Sequence, residues 1–169
     1  MPIIDLLLPE YDQEMANTRK MLASIPDDRL DFKPQEKAFV LKSLAIHLAT
    51  IPEWAVETIT KSELDFAPEG GTGYQPPDLK SQKDLLEAFD AGAAKGRKAL
   101  EGASDDVLMQ PWSLLQTGKV LFTMPKYTVV RSFVMNHMIH HRAQLGLYLR
   151  LMGQKVPGMY GPSADEMGS

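Results

Sequence analysis

From Leu8 the apolar residues fall at Leu8, Tyr11, Met15, Leu22 and Ile25, the three-and-four spacing of one helix face, until Pro26-Asp27-Asp28 stops the pattern. This spacing predicts a first helix. Pro34 and the lack of any regular period make residues 29–37 a connection. Val40, Leu44, His47, Ile51 and Trp54 then recur at steps of four and three, which sets them on one stripe of a second helix reaching Lys61. Pro52 removes a backbone donor from that helix and predicts a kink just after His47.

Phe66 to Lys80 is broken by Gly70-Gly71-Thr72-Gly73 and Pro76-Pro77, so it reads as a long loop. Ser81-Gln82-Lys83-Asp84 has the form of a capping box opening a third helix, which carries Leu85, Leu86, Phe89, Ala93 and Leu100 to Gly102. Gly92 and Gly96 within it lower helix propensity but permit a close helix contact. Ser104 to Met124 fits either a two-stranded excursion or a structured loop. From Pro125 a fourth helix carries Val130, Phe133, His137, His141, Gln144, Tyr148 and Met152, before Gly153 and Pro157 end it and an irregular tail follows. Four long helices with long connections define an all-α four-helix bundle, a fold that builds ligand sites from inward-facing side chains.

Composition narrows the chemistry. The 169 residues suit a single domain, and 44% hydrophobic with 24% charged residues is ordinary for a folded globular chain. Eighteen Lys and Arg against 22 Asp and Glu, with no basic run, argue against a nucleic-acid partner. Asp5 stands where a signal peptide carries a basic residue, and no apolar run is long enough for a membrane span. The expectation is a soluble, cytoplasmic protein without a membrane partner. Cysteine is absent, so disulfides, thiolate metal sites and cysteine nucleophiles are excluded, and any metal must use His, Asp or Glu.

Of four histidines, three lie in Asn136-His137-Met138-Ile139-His140-His141-Arg142. His137 and His141, four apart, share a helix face and can reach one ion; His140 is rotated by about 100° from His141 and points elsewhere. His47 sits centrally on the apolar stripe of the second helix. Three neutral imidazoles on apolar faces leave polar nitrogens in need of partners, and a metal ion answers that need. Met138 breaks the H-E-x-x-H pattern, no Glu-x-x-His pair supports a di-iron centre, and no phosphate-binding or nucleophile-elbow motif occurs. His47, His137 and His141 are therefore the candidate ligands of one divalent ion, with Gln144, Asn136 or backbone carbonyls as candidate partners of their second nitrogens. Tyr148 is either a core aromatic or a hydroxyl facing the site, and Asp165 and Glu166 lie in a tail that either is solvated or folds back over it. No catalytic residue is assigned.

Ser43-Leu-Ala-Ile-His47-Leu together with Asn136-His137-x-x-His140-His141-Arg142-Ala143-Gln144-Leu resembles the DinB-like (DinB/YfiT) superfamily, with the Tyr160–Glu166 tail also seen in some members. Ala143 stands where many members have Gly. The resemblance implies a bundle whose zinc or nickel ion is held by His47, His137 and His141. It further implies a metal-dependent transferase or hydrolase that activates a low-molecular-weight thiol or water against a small electrophile. A non-catalytic metal-binding stress-response protein is the alternative, and a homodimer is the implied assembly.

Overall fold

The computed structural model describes residues 1–168 and is mainly helical. Helix α1 covers Ile3–Leu22, α2 Leu41–Thr50, α3 Glu53–Thr60, α4 Gln82–Glu101 and α5 Asp105–Met109. The last long helix runs as α6, Lys126–Val129, a π-helical stretch, Val130–Asn136, and α7, His137–Leu151. The core is built where α4 packs on α1, α2 and α3 and where α7 packs on α1 and α2. Its largest buried side chains include Tyr11, Leu22, Leu44, Leu48 and Phe89. No described helix is long and apolar enough to cross a membrane.

The first helix begins at Ile3, a turn and a half before the pattern from Leu8; it contains Pro9, and it buries Leu7 in the core. Pro52 does more than kink the second helix: it separates α2 from α3, and it is the N-cap residue of α3. The capping box of α4 is present as predicted, with Asp84 N–H donating to Ser81 Oγ at 3.1 Å and Ser81 N–H to Asp84 Oδ2 at 3.1 Å.

An all-α fold class is too narrow, because the bundle carries a three-stranded sheet in the order β1-β2-β3, formed by Glu63–Asp65, Pro111–Gln116 and Lys119–Pro125. β2 and β3 form an antiparallel hairpin, so the segment left open between hairpin and loop is the hairpin. Its two-residue turn is Thr117-Gly118, with φ of 51° and 73°, the backbone twist that joins antiparallel strands tightly. Asp65, at the end of β1, accepts from the amides of Thr117 and Gly118 and so ties β1 to that turn. β1 pairs in parallel with β2.

Gly96 does permit a close contact. A Cβ there would stand 2.8 Å from the Pro52 carbonyl oxygen and 3.3 Å from Ala55 Cβ, and would strike the Tyr11 hydroxyl. Backbone on the far side cannot yield as a flexible side chain can. Gly96→Ala should therefore lower stability by up to about 2 kcal/mol, because overpacking against backbone costs about 1–3 kcal/mol and helix propensity returns about 1 kcal/mol. Urea unfolding measures the difference; a gain in stability would show that α3 and α4 separate freely.

Candidate metal centre

His47 comes from the buried face of α2, and His137 and His141 from the first turns of α7. Their nitrogens converge: one ligand atom from each lies within 4.8 Å of the others. His137 Nε2 stands 3.2 Å from His47 Nε2 and 2.8 Å from His141 Nε2. The three residues placed together by spacing thus meet in space, and His140 is turned out to solvent.

The π-helical stretch helps set the first of these rings. The amide of His137 reaches back to the Ser132 carbonyl, five residues earlier, rather than to Phe133 as in an α-helix. The Phe133 carbonyl instead stands 3.3 Å from His137 Nδ1, which must carry the proton because a carbonyl only accepts. His141 Nδ1 donates to Gln144 Oε1 at 2.8 Å, while Gln144 Nε2 donates to His140 Nε2 at 3.1 Å. Both rings on α7 therefore carry a proton on Nδ1, and burial, which disfavours their charged forms, leaves Nε2 lone pairs that face one point. Lone pairs that close repel unless a cation or proton lies between them, so the donor set fits a nitrogen-loving divalent ion.

Of the partners proposed from sequence, Gln144 and a backbone carbonyl take the role and Asn136 does not. Tyr148 is the core aromatic: its hydroxyl donates to the Phe39 carbonyl at 2.9 Å, away from the imidazoles. Asp165 and Glu166 do not close over the site either. Asp165 accepts from Val156 N–H and pairs with Arg150, and Glu166 accepts from Gly158 and Ser163 amides, so both hold the tail's own turns.

Sequence reasoning missed the walls of the site. Trp54 packs against His47 and His137 with ring centroids at 6.0 and 5.6 Å, and Phe39 against His141 at 6.2 Å. A cleft of about 880 Å³ opens beside His47 and His137 between α3, the π-helical stretch and the sheet. The position of Trp54 two turns after His47 on the same stripe was the available signal; the sheet side, unresolved as an element, carried none.

Burial holds the His47 imidazole down to about 4, with the neighbouring His141 and His137 adding to the effect. His137 is lowered by burial and then by His141, and His141 chiefly by burial against the opposing bond to Gln144. A histidine whose folded value lies below its unfolded value of about 6.5 binds more protons when unfolded, so its contribution is whole above that pH and lost as pH falls. In excess chelator, the midpoint of thermal unfolding should fall as pH drops from about 6.5 toward 4, and His47→Gln should flatten part of that slope. Circular dichroism melts at stepped pH test this; identical slopes in parent and variant would count against it.

A mainly helical bundle with three converging imidazoles at the end of an aromatic cleft defines a class of candidate metal-site bundles. Within that class, the chain belongs to the DinB family, whose model matches residues 4–168. It is 26% identical over 163 residues to protein YrdA of Bacillus subtilis, covering 96% of this chain and 91% of that one. Its fold matches a DinB-like protein of Bacillus cereus at a TM-score of 0.71 with 24% identity, covering 94% of this chain and 98% of the other. A DinB-like protein of Bacillus subtilis, YjoA, also matches at 0.71, with 18% identity and coverage of 94% and 99%. A mycothiol-dependent maleylpyruvate isomerase matches at 0.52 with 10% identity, over 91% of this chain and 62% of that one.

Proposed function

We propose that the protein binds one divalent ion, zinc or nickel, through His47, His137 and His141, and uses it to activate a thiol cosubstrate or water against a small electrophile. The carrying observation is the convergence of three Nε2 atoms within 4.8 Å, with two tautomers fixed by bonds to Phe133 and Gln144. Three neutral ligands leave an ion its full charge and an open position, so when bound it would lower the pKa of a coordinated water or thiol. The chain itself holds the three nitrogens, orients their rings and walls one side of the site with Trp54. It contains no cysteine, so a thiol mechanism takes its sulfur from a second molecule. The thiol-dependent isomerase among the structural neighbours makes a thiol worth testing first.

Chelator-free purification should yield about one divalent ion per chain by elemental analysis, since nitrogen sites favour the later first-row ions. The same preparation, assayed with low-molecular-weight thiols and electrophilic probes with and without metal, tests turnover. A stoichiometry near zero that added metal does not raise would end the metal reading; full loading without turnover would leave a metal-binding protein.

A further inference from the structure

We propose that the cleft beside the three histidines accepts a molecule whose body is uncharged and aromatic, and that it discriminates against carboxylated or phosphorylated bodies. This rests on the cleft being the substrate site of the function proposed above, and it names the class of substrate. Two features of the lining lead to it.

The first is shape and surface. The cleft, about 880 Å³, lies within the range of small-molecule sites. Rings of Trp54, Trp112, Phe122 and Phe133 form its walls, with Phe122 stacked on Phe133 at 4.5 Å between centroids. Flat aromatic walls favour a flat aromatic occupant.

The second is charge. The ionisable groups in the lining, apart from the histidines and Tyr74, are carboxylates, and no lysine or arginine lines the cleft among the described residues. Asp65 is engaged by backbone amides. Glu53 and Glu57, one turn apart on α3, remain; their partners Lys95 and Lys61 are largely exposed and form no part of the lining. An anionic body entering here would give up its hydration, meet two carboxylates and find no lysine or arginine in the lining, which is how a site rejects a ligand by charge.

The chain has only two tryptophans, Trp54 and Trp112, and both line the cleft, so the two indole N–H signals of a nitrogen-15 correlation spectrum report on it directly. The full chain, held in excess chelator at neutral pH, is titrated with 4-nitroanisole and, separately, with 4-nitrobenzoate. The neutral ether should shift both indole signals and bind at least about tenfold more tightly than the carboxylate. Trp112→Phe assigns the second signal, and Glu57→Gln should strengthen the carboxylate. Equal or tighter binding of the carboxylate, or indole signals unmoved by the ether up to its solubility, would overturn the proposal. Chelator keeps the test independent of any ion, so a failed metal stoichiometry and a failed selectivity are read separately.

Discussion

Alanine at His47 or His141 is expected to abolish tight binding of zinc or nickel, while alanine at His140 leaves the dissociation constant nearly unchanged. His47 supplies the link between α2 and α7, with its Nε2 3.2 Å from that of His137, so its removal ends the chelate between helices. His141 supplies the second nitrogen of the α7 pair at 2.8 Å. His140 is exposed and meets the centre through Gln144 and an edge contact with the His141 ring, 5.0 Å between centroids. Loss of such an outer partner commonly costs about 10–100-fold when it orients a ligand, and His140 stands one step further removed than that. Gln144→Ala should fall between the two classes, since it frees His141 Nδ1 without removing a ligand. Calorimetric titration of the four variants, each checked for helical content, separates these outcomes. Retained binding in His141→Ala with loss in His140→Ala would mean that α7 presents a face one residue removed from the one described.

Much of this centre was legible before the fold was seen, because its parts obey helical periodicity. His137 and His141 are four apart, and His47 shares a stripe with Leu44, Ile51 and Trp54; such spacing survives whatever the tertiary structure does. The capping box at Ser81 was equally local. What escaped depends on contacts distant in sequence. The pairing of Glu63–Asp65 with Ser113–Leu115 spans about fifty residues, and a three-residue strand has no periodicity of its own. Trp112 and Phe122 entered the cleft only once that sheet formed. The π-helical stretch was hidden for another reason: Val130, Phe133 and His137 fit an α-helical face, and the shift in hydrogen bonding leaves that pattern intact. Tyr160 was noted as part of a resembling tail, but its role is set by Glu14, 146 residues away.

That tail contact underlies the largest stability effect expected. Arg142 and Glu14 form a buried ion pair, Nη2 to Oε2 at 2.7 Å, with side chains only 3% and 5% exposed. Arg142 also donates to the Glu14 carbonyl and to Thr18 Oγ1 at 3.2 Å each, and to the Tyr160 hydroxyl at 2.6 Å. The Tyr160 hydroxyl in turn lies 2.9 Å from both Glu14 carboxylate oxygens. Helices α1 and α7 and the C-terminal tail are therefore joined through one guanidinium. Arg142→Met leaves a carboxylate buried without its cation, a change that costs about 3–5 kcal/mol. At about 2–4 °C per kcal/mol for a chain of this size, the unfolding midpoint should fall by roughly 6–20 °C. Tyr160→Phe removes the bond donated to Glu14 and the one accepted from Arg142, and should cost at least about 1.5–3 kcal/mol. The double variant Glu14→Leu/Arg142→Met removes both charges and should recover most of the loss, because an apolar pair of similar volume carries no desolvation penalty. Arg142 follows His141 directly on α7, so the pair also fixes the rotation that turns His141 toward His47. Thermal melts of the single and double variants decide the matter: a double variant no more stable than Arg142→Met would show that the loss comes from packing, not from an uncompensated charge.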